Sequence, residues 1–459
     1  MKKKENLQLK KWNMKRFKLL NTQQLFVSVL LFLSITTNAQ NNLTLENVLA
    51  ITLKENIDIK IKTNELNQVE NYEKVGVLGV LPRIKINGSS SVNNGTSSLE
   101  FATDDFPSIN DASSESTSIN GNIEFSYNLF NGLGSIYTYQ KLKKQSDLKS
   151  TELLIQIEQA LIKTAKQYYD IAYLQEQNKI YSDLLGVSKE RYERVKIQNE
   201  FGNASKLDLL SAEIDLNKDS VNLINSNYDL KVAKNQLNQT LNRELTLDFN
   251  VDNKVEINSN LLYSDLNKEI QKNNNNILFQ QYLIEVSKKD KKINSSSIFP
   301  QVNISAQYGY NNTESNTSLI LDQTSLGLTG YINFTWDIFD GLARGKINQN
   351  KKIEIESNKL QLIAIEQEIQ KEFNSTYQLY SNSINLIDIE RRNQSNSEKF
   401  FERAKEQFYQ GQLSRNDFRL AQIDLSMSKN RLNQTLYTAK IAELNLYRLS
   451  GKILEKASD

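Results

Sequence analysis

The sequence predicts an α+β chain in which one unit is written twice, each unit joining amphipathic strands to a very long helical hairpin. Residues 192–216 match residues 401–425 at 11 of 25 positions without a gap, an offset of 209, which marks an internal duplication. Two 70-residue stretches, 132–201 and 341–410, carry apolar residues at steps of three and four and contain no proline, the periodicity of a helix. Ahead of each, apolar and polar residues alternate with the period of two that a strand between unlike environments requires.

Composition narrows the function classes. With 459 residues but only 3 Pro and 16 Gly, the chain suits a few long elements better than many short ones. The formal net charge of +2 gives no reason to expect nucleic acid, and Lys288-Lys289-Asp290-Lys291-Lys292 reads as a solvated helix face. There is no His and no Cys. That removes the commonest general base, the commonest transition-metal ligand, thiol nucleophiles and disulfides together, so no metal, cofactor or catalytic site is expected.

In chain order, lysines and Arg16 precede an apolar run of eleven residues, Leu25 to Ile35, followed by Thr37-Asn38-Ala39. This is the layout of a signal peptide over 1–39, and the run is too short for the roughly 20 residues a spanning helix needs. A helical pattern occupies 43–81 and should stop at Leu81, because Pro82 disfavours helical geometry in its predecessor. From Arg83 a strand begins, with Ile84, Ile86 and Gly88 on one face. The Ser-, Asn- and Asp-rich stretch 89–118, containing Asp104, Asp105, Asp111 and Glu115, is expected to be an exposed loop. Alternation then resumes through Ile119, Ile123, Phe125, Tyr127 and Leu129, a strand long enough to cross a bilayer at a tilt.

Leu129-Phe130-Asn131-Gly132 ends that strand and opens the first long helix, with a stripe at Leu154, Ile157, Leu161, Ala165, Tyr168 and Ala172. At 1.5 Å per residue, 70 residues extend roughly 105 Å. Gly202 closes the helix, and Ser205 with Asp208 has the spacing of a capping box that starts the return arm. The return arm repeats leucine every seven residues, at Leu209, Leu216, Leu223, Leu230 and Leu237, a coiled-coil seam. A linker or small side element is expected over 245–260.

The second unit repeats the first: a helical pattern over 261–299, Pro300, alternation from Val302 to Tyr310, a polar loop over 311–325, and a strand face from Leu326 to Ile338. Phe339-Asp340-Gly341 follows, then the second long helix, the tip at Gly411, Ser414 and Asp417, and sevens at Phe418, Leu425, Leu432, Ala439 and Leu446. The resulting organisation is a signal peptide at 1–39, a first repeat at 40–250 and a second at 251–459. Tyr127, Trp336, Phe125 and Phe334 are expected on the lipid-facing side. Four strands cannot close a barrel in lipid, where an open edge leaves backbone groups unsatisfied and the smallest closed barrels have about eight strands. Three copies sharing one barrel supply twelve.

With L-T-L-E-N at 43–47, L-P-R at 81–83, the L-F-N-G and I-F-D-G turns and two G-x-x-S-x-x-D tips, essentially the whole mature chain resembles the TolC family of outer-membrane efflux proteins. The resemblance implies a homotrimer in the bacterial outer membrane, with a shared twelve-stranded β-barrel set in lipid and continued by an α-helical coiled-coil tunnel in the periplasm. It also implies a passive duct of a tripartite efflux or type I secretion system, docking to a periplasmic adaptor and an inner-membrane transporter. By the same resemblance the adaptor-binding tips are Gly202, Ser205, Leu207, Asp208 and Leu209, with Gly411, Ser414, Asn416, Asp417 and Phe418. Some relatives carry two carboxylates one turn apart at the periplasmic gate. Here Asp417 matches the first, Leu420 holds the second position, and Asp424 lies a turn further on. An exported coiled-coil structural or adaptor protein without a pore is the competing reading. The cargo is not written in the sequence.

Overall fold

A computed structural model describes residues 42–74, 81–100, 102, 107–317 and 320–456. The expected signal peptide, residues 75–80 at the end of the first helical pattern, and Asp104 and Asp105 lie outside the described residues.

Each expected helical pattern at the start of a repeat is in fact two helices. In the first repeat these are α1 (Leu45–Glu55) and α2 (Ile57–Tyr72), followed by β2 (Arg83–Leu99), β3 (Ile109–Asn131), α3 (Gly134–Glu200) and α4 (Lys206–Thr240). The second repeat has α5 (Tyr263–Asn273), α6 (Asn275–Ser296), β5 (Gln301–Ser315), β6 (Asp322–Thr335), α7 (Ala343–Tyr409) and α8 (Arg415–Leu449). A short α9 (Ile453–Lys456) ends the chain, and β1 (Asn42–Leu43) pairs in parallel with β4 (Asn250–Val251). That two-stranded ladder is the side element expected between the repeats. No helix among the described residues is long and apolar enough to cross a membrane.

The four long strands form one antiparallel sheet in the order β2-β3-β5-β6. Residues directly opposite each other share a face, and the register makes that face continuously apolar. Ile86 faces Ile123, Ile123 faces Tyr308 and Tyr308 faces Leu328, while two rungs along the same face Tyr127 faces Ile304 and Ile304 faces Ile332. The other face is polar and carries a belt of side-chain hydrogen bonds across all four strands. Asn87 Nδ2 donates to Asn122 Oδ1 (2.9 Å), Asn122 Nδ2 to Gln307 Oε1 (3.1 Å), and Gln307 Nε2 to the Tyr331 hydroxyl (3.3 Å). Phe125, Phe334 and Trp336 are exposed on the apolar side, and the Trp336 indole donates to the Ile298 carbonyl just beyond the strand (3.1 Å).

The expected loop at 89–118 is largely strand: Ser89 pairs with Asn120, and pairing runs on to Ser97 opposite Ala112. Likewise Asn311 pairs with Ser325 inside the stretch expected as the second loop. Where both faces of a ribbon are hydrated, apolar alternation vanishes from the sequence while backbone pairing persists. Strand leads to long helix through two consecutive left-handed residues, Gly132 and Leu133 (φ 63° and 68°) and Gly341 and Leu342 (φ 68° and 71°). A Cβ on Gly132 would also lie 2.2 Å from the Ser296 carbonyl oxygen.

The two 67-residue helices are paired each with a 35-residue return arm. Toward the tips the packing order is α4, α3, α8, α7; toward the sheet it is α2, α3, α6, α7. The short helices therefore stack end to end, α4 on α2 and α8 on α6, to match the length of one long helix. One asparagine makes each joint. Asn56 ends α1 and caps α2, accepting from the Asp58 and Ile59 amides, while its Nδ2 donates to the Thr240 carbonyl at the end of α4 (3.0 Å). Asn274 does the same between α5 and α6 and donates to the Leu449 carbonyl at the end of α8 (2.9 Å). Each side chain thus satisfies orphan groups on two helix ends at once. This is why the helical patterns break where no Pro or Gly stands.

Core residues cluster at these joints, around Leu161, Tyr168, Ile171 and Leu237 on one side and Ile270, Phe373 and Leu446 on the other. Beside the second joint Glu158 is 3% exposed and accepts from Asn275 Nδ2 (2.8 Å). Burial pushes its carboxyl up to about 7, against the opposing pull of Asn275 and Arg448.

Asn274→Ala removes a cap and a buried hydrogen bond together and should cost about 2 kcal/mol, seen as a lower melting temperature, whereas Asn276→Ala should change it by about 0.5 kcal/mol or less. Because Glu158 binds its proton more tightly folded than unfolded, its contribution to stability falls as pH rises from about 4.5 through 7. Glu158→Gln should melt higher than the parent chain at pH 8 and equal it near pH 4, as read by thermal unfolding at the two values.

Candidate functional site: the paired hairpin tips

The end of each hairpin is built by the same few residues. Phe201 closes α3, Gly202 turns left-handed (φ 77°), and the amides of Gly202 and Asn203 return to the carbonyls of Asn199 and Gln198 (3.0 and 2.7 Å). Gly411 (φ 73°) and Gln412 repeat this on Phe408 and Gln407 (3.1 and 2.8 Å). A left-handed residue with this pair of bonds ends a helix cheaply only when it is glycine. Open space surrounds both glycines, so φ alone is the requirement.

Ser205 then caps α4: its Oγ accepts from the Asp208 amide (3.1 Å) and the Asp208 carboxylate accepts from the Ser205 amide (3.0 Å). Ser414 Oγ accepts from the Asp417 amide (3.2 Å) and donates to the Asp417 carboxylate (2.7 Å). Gly202, Ser205, Leu207, Gly411, Ser414, Asn416 and Asp417 are exposed, Leu207 at 77%, while Asp208 and Leu209 are half-buried. Asp424 is exposed two turns along α8 from Asp417. Phe418 departs from expectation. It is 1% exposed, stacked on Phe408 at 4.5 Å between ring centres and on Phe401 at 5.9 Å. The resemblance placed it at the tip, but the seven-residue spacing also makes it a seam residue, and the seam claims it.

Charge joins the two tips. Arg415, the first residue of α8, forms an ion pair with Asp208 (2.5 Å), and the Arg415 guanidinium together with the Ser205 bonds holds the Asp208 carboxyl well below the usual range. Higher up, Arg419 makes a two-pronged pair with Asp219 (2.6 and 2.8 Å), and Ser188 donates to the same carboxylate. Arg191 pairs with Asp215. Asp219 is 1% exposed, so a desolvated ionic knot ties the first hairpin (α3 and α4) to the second (α8). The twin positions in the other repeat hold Leu210 for Arg419, Ser428 for Asp219 and Phe400 for Arg191. Asp215 and Ser188 have identical twins in Asp424 and Ser397, but Arg419, Asp219 and Arg191 sit where the repeats differ, and a search for matching residues passes over them.

The seam leucines of α4 are half-buried apart from Leu237; the line that is fully buried runs through Ala212, Asp219 and Ser226, offset by three residues. Small side chains there let α4 lie close against α3. Among the described residues no group of His, Cys, Asp or Glu is arranged to hold a metal ion.

A family model described as outer membrane efflux protein matches residues 50–243 and 266–452, one block in each repeat. A search by sequence against curated proteins finds no significant relative. By structure, the chain is similar to the CmeC outer membrane channel of Campylobacter jejuni, with a TM-score of 0.75 at 14% identity over 93% of this chain and 94% of that one. It is similar to the outer-membrane channel OprN (TM-score 0.73, 15% identity, 89% and 90% covered). It is also similar to the MtrE outer membrane channel of Neisseria gonorrhoeae in its open state (TM-score 0.69, 14% identity, 89% of each). At such identities these likenesses establish the fold.

Arg419→Ala leaves Asp219 buried without its partner, which should cost about 3 kcal/mol and loosen the tips. Hydrogen exchange of α8 amides near residues 415–425 should quicken relative to the parent, with those of α3 near Tyr168 unchanged; equal protection in both regions would show that the knot carries no load.

Proposed function

The chain belongs to the outer membrane efflux protein family, and on that premise we propose that it is the outer-membrane exit duct of a tripartite efflux or type I secretion system. Residues 1–39 act as the signal peptide, and the repeats at 40–250 and 251–459 each supply two barrel strands and one hairpin. The duct needs no catalytic step.

One observation carries the reading: the protomer is open along both edges, and the edges correspond. On one side lie β2, α2 and α4; on the other, β6 and α7. In lipid an unpaired strand edge is costly, so β6 of one copy must pair with β2 of the next. The helical edges say the same, since α4 exposes Leu210, Ile214, Val221, Ile224 and Tyr228, and α7 exposes Leu379, Leu386, Ile389 and Phe400, apolar stripes at coiled-coil spacing. Three copies give the twelve-stranded homotrimer, with the apolar sheet face toward outer-membrane lipid and the tunnel in the periplasm. OprN, CmeC and MtrE are each described as outer-membrane channels, which supports the same reading. A pore-free structural or adaptor protein gives no use to a four-stranded sheet with one unbroken apolar face.

The tips, Gly202, Ser205, Leu207, Asp208 and Leu209 with Gly411, Ser414, Asn416 and Asp417, are then the surface offered to a periplasmic adaptor and, through it, to an inner-membrane transporter. Phe418 supports this surface from within. Asp417 and Asp424 stand on one face of α8 and, repeated about the axis, form the charged gate at the periplasmic end.

The mature chain reconstituted in a planar bilayer should give stepwise single-channel currents; a preparation inserted in the membrane that passes none would contradict a pore. Gly411→Pro and Asp417→Arg should each impair export from cells while the assembly stays in the outer membrane, and unchanged export would count against the tip assignment.

A further inference from the structure

Above the tips, between the first hairpin and the second, a cavity of about 170 Å³ opens among α3, α7 and α8. Its walls are apolar, from Ile180 and Leu184 of α3, Phe401 of α7 and Leu425 of α8. Gln422 also lines it and is 2% exposed, yet among the described residues neither its Oε1 nor its Nε2 has a hydrogen-bond partner. A buried amide left unpaired costs about 1–3 kcal/mol, which a guest able both to donate and to accept would recover. Asp183, Glu398 and Glu402 stand around the opening against a single cation, Lys429, which lies 4.0 Å from Glu398. The mouth is thus acidic, the walls apolar and the buried end an amide offering one donor and one acceptor.

We propose that this cavity is a binding site for a small organic cation of the hydroxy-arylalkylammonium class. The volume suits one aromatic ring, since a cavity of about 150 Å³ holds benzene. The hydroxyl at the buried end donates to Gln422 Oε1 and accepts from Nε2, and the ammonium at the other end lies among the carboxylates of the mouth. Because α3 belongs to one hairpin and α7 and α8 to the other, the guest bridges the two and bears on their spacing. The site stands on its own walls and does not depend on the channel reading, so either can fail without the other.

The test is titration calorimetry on the full mature chain in detergent, corrected for protein-free micelles, with tyramine, phenethylamine and 4-hydroxyphenylacetate as probes. Tyramine should bind saturably, about tenfold more tightly than phenethylamine, which lacks the hydroxyl, and more tightly still than the anion. In Gln422→Leu the preference for tyramine over phenethylamine should vanish. In Glu402→Gln, an exposed change that the fold tolerates, both amines should weaken severalfold together. The proposal is overturned if tyramine shows no saturable heat, if the anion binds as well as the cation, or if the hydroxyl preference survives in Gln422→Leu.

Discussion

A strand edge cannot be left open in hydrocarbon, and the rest of this molecule follows from that constraint. The sheet has an apolar face and two unpaired edges, so the chain is structurally incomplete alone. The helices below repeat the incompleteness: the column made of α2 and α4 lies under β2, and α7 lies under β6. One seam therefore runs the full length of the protomer on each side. Assembly closes barrel and tunnel in a single operation, and a subunit count that satisfies the strands also satisfies the coiled coil.

Duplication explains how so long an object is assembled from few parts. Neither 67-residue helix has a partner of equal length within its own repeat, and stacking two shorter helices end to end solves the mismatch at the cost of an interrupted backbone. Asn56 and Asn274 repair the interruption, each capping one helix while bonding the last carbonyls of another. Where the twins must act differently, their sequences part. Arg419, Asp219 and Arg191 form the knot between hairpins and have Leu210, Ser428 and Phe400 as counterparts. The bridging Arg419 and the buried Asp219 thus lie where the repeats differ, whereas Asp208, which joins the tips through Arg415, is matched by Asp417.

Much of this was legible in the residues alone. The offset of 209 located both tips, Gly202 and Gly411 have the left-handed φ that a helix ending requires, and the period-two stretches became a sheet whose register keeps Ile86, Ile123, Tyr308 and Leu328 on one face. Three features were hidden, each for a physical reason. Asn56 and Asn274 sit inside good helical patterns, and their role depends on partners 184 and 175 residues away. The strands over 89–118 carry no alternation because polar residues occupy both faces, so only backbone pairing marks them as strand. Phe418 satisfies a tip position and a seam position equally, and only packing against Phe401 and Phe408 decides between them.

Closure by like copies is the central claim, and interchain crosslinking tests it directly. The chain has no cysteine, so thiols introduced at Ile86 of β2 and Ile332 of β6 are the only ones present. In membranes, a short bifunctional thiol reagent should give species of two and three chains and nothing larger. A product confined to one chain, or a ladder climbing past three, would contradict the closed assembly.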